Sequence, residues 1–273
     1  MSKRIVILVH ENTRLGPQGR VPPGYYFVTQ LGRLWEEEGL DVRYITDLAK
    51  PIDGDLLFVH VDLSVVPEPY LDLAKSYPKS INARVRDIRK SVISKQLVRP
   101  DDDWEGPVIV KTDLNYGGFP ERMYTGAPLQ KSLSIVKSPG DYHVYSHRRA
   151  VPAGYFENPE LVVERFLPEM SGDGYCIRSY NFLGDRGDTF ILYSKHPLVK
   201  FDTITGYDFT ELHPDILKMR QAMDFDYGKF DYVVRYGRAI LLDANKTPGN
   251  LPVTDARLAA MLRDRAQGIR AFL

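Results

Sequence analysis

Three oxygen-bearing side chains near the end of the chain stand in an otherwise apolar stretch. Asp243 and Asn245 are two positions apart, so a strand over 239–245 places both on one face. A three-residue turn at 236–238 would set Asp231 opposite Asp243 on that face, whereas a two-residue turn would put the carboxylates on opposite faces. Two carboxylates and an amide oxygen suit Mg²⁺ bound together with substrate phosphates. The alternative is a hairpin with a solvated polar face, but facing like charges favour a bound cation.

Two other segments offer contacts for a nucleotide. Lys111 ends a β-branched run and precedes the glycine turn 115–118, where an ammonium group and open backbone can meet a phosphate. The phosphate-loop pattern GxxxxGK[ST] is absent. The strand pattern over 161–166 delivers Phe166 and Leu167 before a proline, and its backbone there can meet an adenine edge between apolar walls. A surface lysine and an ordinary core strand are the alternatives.

The elements that must position these residues change character along the chain. Before residue 80, strand patterns alternate with helical ones, which predicts a small parallel sheet covered on both faces. The predicted strands there are 4–10, 41–46 and 55–61, and the predicted helices are 24–39 and 68–76. A basic helix is predicted over 87–97. The later strands, 161–166, 175–182, 189–194, 230–235 and 239–245, with helices over 214–223 and from 254, indicate antiparallel pairing. The shift predicts at least two lobes, α/β first and α+β after it.

The carboxyl ends of parallel strands meet at one edge, where ligands bind in such sheets. His10, Glu11 and Asp62 follow predicted strands and are therefore expected near a crevice, or are simply polar loop residues.

Composition excludes several classes of protein. The 273 residues carry 36 basic and 36 acidic side chains, so no overall field attracts nucleic acid or an anionic membrane. The single cysteine, Cys176, excludes an intramolecular disulfide framework and a multi-cysteine zinc site, and we interpret it as a strand residue. Apolar runs such as 5–9 are far shorter than the roughly 20 residues of a membrane span. We expect a cytoplasmic protein with neither nucleic acid nor membrane as a partner.

The order of the motifs resembles the ATP-grasp superfamily, closest to its glutathione synthetase, D-alanine–D-alanine ligase and ribosomal-protein glutamate ligase branch. The motifs are Lys111 before a glycine pair, Val-Val-Glu-Arg-Phe-Leu at 162–167, and Asp231 followed by Asp-Ala-Asn-x-x-Pro-Gly at 243–249. The resemblance spans roughly 81–252. It implies an ATP-grasp fold of α/β and α+β parts, with a preceding small parallel α/β domain and an ATP cleft between two lobes. The expected boundaries are 1–84 for that domain, 85–160 for the N-terminal lobe with a lid, and 161–273 for the C-terminal lobe.

The resemblance also implies roles for residues, with ATP and Mg²⁺ as cofactors. The implied nucleotide contacts are Lys90 (or Lys95 in its place), Lys111, Glu164, Phe166, Leu167 and Glu169 (or Asp173 in its place). The implied catalytic residues, facing the phosphoryl group, are Arg178 and Lys200. The implied metal ligands are Asp231, Asp243 and Asn245.

Two features depart from the family pattern. Asp243 stands where a glutamate is usual, and its shorter side chain leaves open whether one or two ions bind. The usual run of glycines after Gly118 is replaced by the aromatic and basic segment Phe119–Tyr155, which we interpret as a lid of altered design.

The implied activity is ATP-dependent ligation of a carboxylate to an amine through an acyl phosphate, with release of ADP and phosphate. The substrates are expected to be small amino acids, peptides or modified metabolites, selected around 10–20 and 246–253. Two alternatives stay open: an ATP-grasp phosphotransferase (kinase) whose phosphorylated product is final, and a nucleotide-binding module without turnover. Members of the family are often dimers, so a homodimer is one state that the resemblance allows.

Overall fold

The computed structural model describes residues 2–22, 24–126, 142–250 and 253–273. Its first part is a four-stranded parallel sheet in the order β2-β1-β3-β4. The strands are β1 (Arg4–Leu8), β2 (Asp41–Ile45), β3 (Leu56–Val59) and β4 (Ser80–Ile81), and the helices between them are α1 (Phe27–Glu37) and α2 (Glu68–Ala74). Because side chains alternate along β1, Ile5 and Ile7 pack with α1, whereas Val6 and Leu8 pack with α2. The sheet is therefore covered on both faces, as the sequence predicts.

Two antiparallel sheets follow. The smaller has the order β6-β5-β7, and the larger has the order β11-β10-β9-β12-β13 with β8 paired to β9. The smaller sheet consists of β5 (Val108–Thr112), β6 (His143–Tyr145) and β7 (Leu161–Arg165). The larger consists of β8 (Glu169–Ser171), β9 (Gly174–Leu183), β10 (Arg186–Ser194), β11 (Ile204–Thr210), β12 (Tyr227–Arg235) and β13 (Arg238–Asn245). The remaining helices are α3 (Lys90–Ile93), α4 (Phe119–Thr125), α5 (Ala153–Phe156), α6 (Pro214–Ala222) and α7 (Ala256–Gln267).

The basic helix predicted over 87–97 is wrong in length, because α3 spans only Lys90–Ile93. After it the chain extends along β7: the Val98 amide donates to the Val163 carbonyl at 2.8 Å, and the Arg165 amide donates to the Gln96 carbonyl at 2.8 Å. These bonds to β7 take the backbone groups that a longer helix would use internally.

The hairpin of β12 and β13 reaches the predicted pairing by a different route. Arg235 pairs with Arg238, so the turn has two residues, Tyr236 and Gly237, both with positive φ. The expected three-residue turn is therefore wrong. A β-bulge at Leu242 shifts the register by one residue and sets Asp231 opposite Asp243 all the same.

The first sheet and the larger antiparallel sheet share apolar packing. The Trp35 indole on α1 donates to the Ala266 carbonyl of α7 at 2.9 Å. Leu183 of β9 and Tyr227 of β12 belong to the same buried cluster as Ile5 and Ile7 of β1. The boundaries at 84 and 160 stay a prediction.

Within the described ranges, no helix combines the length and apolar character needed to cross a membrane.

Candidate functional site

A cavity of about 190 Å³ lies between the two antiparallel sheets. Its walls come from β5, the end of β7, β9, β12, β13 and the loop before β11. Side chains of mostly apolar character line it, with charged groups at one part of the wall. Six residues expected at a nucleotide site line this one cavity: Lys90, Lys111, Phe166, Leu167, Asp231 and Asp243.

Lys111 is held by a buried carboxylate. Its Nζ lies 2.7 Å from Glu164 Oε2, and both side chains are almost fully buried. Burial opposes the charge on Lys111, but Glu164, with Tyr142 and Asp243, outweighs it, so the pKa of Lys111 is raised. Glu164 therefore acts on Lys111 through its side chain and does not line the cavity itself; its expected adenine contact stays a prediction.

Lys90 reaches the cavity from the first residue of α3. Its amide donates to the Asp113 carbonyl at 3.0 Å, and its Nζ donates to the Leu114 carbonyl at 3.4 Å. The alternative candidate, Lys95, instead lines a separate groove beside α6. Position thus favours Lys90 over Lys95.

The two facing carboxylates have lysines as neighbours. Asp231 Oδ2 lies 2.8 Å from Lys229 Nζ, and Asp243 Oδ1 lies 3.6 Å from Lys90 Nζ. Burial raises the pKa of Asp243, while Lys90 opposes that shift. The protein thus supplies counter-ions of its own, so the argument from repulsion alone for a bound cation does not hold.

The donor set nevertheless fits a hard divalent ion. Asp243 Oδ1 is buried and accepts no hydrogen bond from the described residues, so it keeps unused capacity as a ligand. No group of three His, Cys, Asp or Glu side chains that could hold a metal occurs in the described part of the chain. The candidate set therefore has two carboxylates, with the amide of Asn245 as its third donor.

Asn245 does not line the cavity. Its Oδ1 accepts a hydrogen bond from the Thr247 amide at 2.8 Å, which folds the chain back after β13. A carbonyl oxygen has a second lone pair, so its expected role as a ligand stays a prediction.

The residues expected to contact the ribose and the phosphates, Glu169, Arg178 and Lys200, likewise do not line the cavity. Glu169 and Arg178 face each other, with Oε1 and Nη2 2.7 Å apart, and Glu169 also accepts from the Val234 amide. Asp173, the alternative to Glu169, pairs with Lys195 at the surface. The backbone of Lys200 caps a short 3₁₀ turn, just after the loop 197–199 that lines the cavity.

The glycine turn adopts left-handed backbone at three successive residues. Tyr116, Gly117 and Gly118 have φ of 46°, 64° and 68°. A Cβ at Gly118 would lie 2.9 Å from the end of the Leu114 side chain, which can shift, so the positive φ is what favours glycine there. Tyr116 is an exposed non-glycine residue in this region, and such conformations cluster at functional sites. Of the expected lid, 127–141 lies outside the described residues.

A second polar cluster joins the carboxyl edge of the first sheet to the loop after β13. We call Tyr26, Asp62, Tyr124 and Thr247 the joint. Asp62 accepts from the Tyr26 hydroxyl at 2.8 Å and from the Thr247 hydroxyl at 2.6 Å. His10, expected at this edge, stacks on Tyr124 with ring centroids 4.0 Å apart. His10 and Asp62 both follow strands of the first sheet at this edge, and the crevice expected beside them stays a prediction.

Sequence reasoning missed two parts of the site. Lys229 lies two positions before Asp231, and the alternation of strand side chains could have placed it on the same face. The loop 197–199 carried no recognisable signal.

Cys176 lines the cavity from β9, and burial raises its pKa to about 12, so its thiol stays protonated.

Comparison with known proteins supplies structural relatives only. No family model matches the chain, and no curated protein matches it. A RimK domain ATP-grasp protein from Sphaerobacter thermophilus is 12% identical with a TM-score of 0.52, over 98% of each chain. A RiPP-associated ATP-grasp ligase from Chryseobacterium gregarium, solved with ADP and a leader and core peptide, is 10% identical with a TM-score of 0.52, over 96% of each chain. The chain therefore has the ATP-grasp fold, with a parallel α/β part ahead of two antiparallel sheets that enclose the cleft.

Proposed function

We propose that the protein is an ATP-dependent ligase that joins a carboxylate to an amine and releases ADP and phosphate. One observation carries the proposal: Lys90, Lys111, Asp231 and Asp243 converge on one cavity between the sheets of an ATP-grasp fold. Two cations beside two carboxylates form a site for a triphosphate and a divalent ion. The apolar wall that includes Phe166 and Leu167 suits a purine base.

The phosphate end of the site works by charge and position. Lys111 and Lys90 neutralise phosphate oxygens, and Glu164 holds Lys111 in place. The left-handed turn at 116–118, next to the Leu114 carbonyl that Lys90 contacts, offers backbone amides to the same phosphates. Magnesium, held by Asp231, Asp243 and Asn245, would neutralise charge on the phosphate oxygens and align them.

The reaction has two displacements. A carboxylate oxygen of the first substrate attacks the γ-phosphorus, the bond to the β-phosphate oxygen breaks, and ADP leaves with that electron pair. The amine of the second substrate then attacks the acyl carbon, loses a proton, and phosphate leaves as the amide forms. Phosphoryl transfer demands positioning and charge neutralisation more than a protein nucleophile, which agrees with the protonated state of Cys176. A water-excluding cover would protect the acyl phosphate.

Amino acids or peptides are the proposed substrates. The Chryseobacterium relative was solved with a leader and core peptide, which makes peptides a reasonable first choice. The joint and His10 lie where the first sheet meets the loop after β13, and we propose that selectivity resides in that region.

The test measures ADP release with Mg²⁺ and ATP against pools of amino acids and short peptides. Asp243→Asn is expected to lower the substrate-dependent rate by at least about 100-fold, because a ligand charge at the phosphates is lost. Asp72→Asn is the matched control, since Asp72 pairs with Lys75 on the exposed surface of α2. Two outcomes would contradict the ligase: ADP release that no substrate increases, or a substrate-dependent rate that Asp243→Asn leaves unchanged.

The same assay separates the alternatives. A phosphorylated product formed without an amine would identify a phosphotransferase. Tight ATP binding by calorimetry with no ADP under any mixture would identify a binding module.

A further inference from the structure

Lysines and carboxylates interleave on one face of the hairpin. Lys229 and Asp231 lie two positions apart on β12, and their partners across the ladder are Asn245 and Asp243. A Lys–Asn rung therefore stands beside an Asp–Asp rung. Lys229 Nζ lies 2.8 Å from Asp231 Oδ2, inside the set of side chains that would hold the divalent ion.

Within the ion pairs at this face, the positive and negative charges balance without any ion. Lys90, Lys111 and Lys229 stand against Glu164, Asp231 and Asp243, each lysine within 4 Å of one carboxylate. A divalent ion that entered alone would have to displace a lysine or add two charges to a neutral cluster. Both cost free energy in a partly buried site, because charges there are poorly screened.

Of the two lysines that touch the candidate ligands, Lys229 is better placed to move. Lys90 is almost fully buried and is also held by the Leu114 carbonyl. The side chain of Lys229 is about one third exposed, and its ammonium group forms an ion pair with Asp231. Lys229 does not itself line the cavity, but Asp231, which it contacts, does, so a triphosphate there would lie beside this pair and offer Lys229 a new anionic partner.

We propose that Lys229 is a resident counter-ion, which occupies Asp231 in the nucleotide-free protein and releases it when a triphosphate arrives. The inference rests on the proposed function for the identity of the metal ligands. The free protein then binds divalent ions weakly, and the ion enters the site together with ATP. Lys229 is thus a positioning residue that sets the order of binding.

Binding of Mn²⁺ to the full-length, nucleotide-free protein tests the proposal. Mn²⁺ shares the preference of Mg²⁺ for oxygen ligands, and electron paramagnetic resonance separates the free ion from the bound ion. Lys229→Met is expected to bind Mn²⁺ at least about tenfold more tightly than the unmodified protein, because a positive charge beside Asp231 is gone. Lys229→Arg keeps that charge and is expected to bind as weakly as the unmodified protein.

Two further variants make the result specific. Lys75→Met removes a lysine from the exposed pair with Asp72 at 2.6 Å and should leave Mn²⁺ binding unchanged. Lys229→Gln removes the charge but keeps a hydrogen-bond donor for Asp231, and it replaces Lys229→Met if that variant melts at a lower temperature. It too should tighten Mn²⁺ binding.

Equal Mn²⁺ affinity in the unmodified protein and in the uncharged Lys229 variants would overturn the proposal. If ADP release responds to substrate in that case, the ligase stands and only the counter-ion role falls. A last arm adds a non-hydrolysable ATP analogue. If neither the unmodified protein nor any variant then binds more Mn²⁺ than the analogue alone does, the metal site of the proposed function is wrong, and the counter-ion role is wrong with it.

Discussion

The cavity and the joint both bury polar side chains at strand ends, but they use the bonding capacity of those side chains differently. In the joint, each oxygen of Asp62 accepts a hydroxyl hydrogen bond, from Tyr26 and from Thr247. Around the cavity, Asp243 Oδ1 in its wall and Glu164 Oε1 behind Lys111 are buried without a hydrogen-bond donor among the described residues. The contacts of the cavity are ion pairs with lysines rather than hydroxyl bonds.

This difference separates a connection between two sheets from a site prepared for a nucleotide. A satisfied network stabilises one arrangement, since any change breaks bonds that nothing replaces. Buried ion pairs with unused acceptors are costly to keep and exchange partners when a charged ligand enters. The comparison therefore predicts that substitutions in the cavity change both stability and ATP affinity, whereas those in the joint change stability and leave ATP affinity unchanged.

The largest effect is expected at Lys111. Lys111→Met leaves Glu164 charged, buried and unpaired, and should lower the free energy of unfolding by about 3–5 kcal/mol, measured by denaturant titration. Adding Glu164→Gln should recover most of that stability but not ATP affinity, measured by calorimetry. Lys75→Met, in the exposed pair with Asp72, is the control and should cost less than about 1 kcal/mol. Normal ATP affinity in the double variant would show that Lys111 has no part in nucleotide binding.

A smaller effect is expected in the joint. Tyr26→Phe removes the hydroxyl that donates to Asp62 and should lower the free energy of unfolding by about 1.5–3 kcal/mol, with ATP affinity unchanged. Tyr25→Phe, at the exposed neighbouring position, should change neither quantity. If Tyr26→Phe weakened ATP binding while stability held, the contrast between the two regions would break down.

The smallest effect concerns pH. His60 packs against Tyr26, with ring centroids 4.9 Å apart, and burial lowers its pKa to about 3. Well above pH 6.5, His60 is neutral in the folded and in the unfolded protein. Below pH 6.5 it is protonated in the unfolded protein but stays neutral in the folded one, so the folded state loses stability relative to the unfolded state. Stability should therefore fall by about 2 kcal/mol between pH 7 and pH 5 on account of His60. Melting temperatures of His60→Leu should fall less over this interval, whereas those of His147→Leu, at an exposed position, should match the unmodified protein.

The sequence predicts the architecture well where a pattern is set by burial. Alternation and helical spacing locate the first sheet, and the five later strands that were predicted fall within a few residues of their expected bounds, whereas β6, β8 and β11 were not predicted. The helix over 87–97 fails because residues 96–98 pair with β7, and tertiary pairing of this kind leaves no local signal.

The candidate site is predicted in outline but not in its contacts. The facing of Asp231 and Asp243 was expected from a three-residue turn and arises from a bulge, although the adjacent Leu241 and Leu242 break the alternation and hint at it. The pairing of Arg178 with Glu169 depends on how β8 folds onto β9, which their separation in sequence does not reveal. Once Asp231 is known to face the site, the alternation of side chains along β12 predicts that Lys229, two positions earlier, lies on the same face.

The bond from Trp35 to Ala266 has a consequence for how the chain is made. The two residues are 231 positions apart, and Ala266 and Ile269 complete the apolar layer over β1. The α1 side of the nascent sheet thus stays exposed until residues 266–269 have been synthesised, and such distant contacts form slowly. Until then this face exposes apolar side chains, and exposed apolar surface is what molecular chaperones bind.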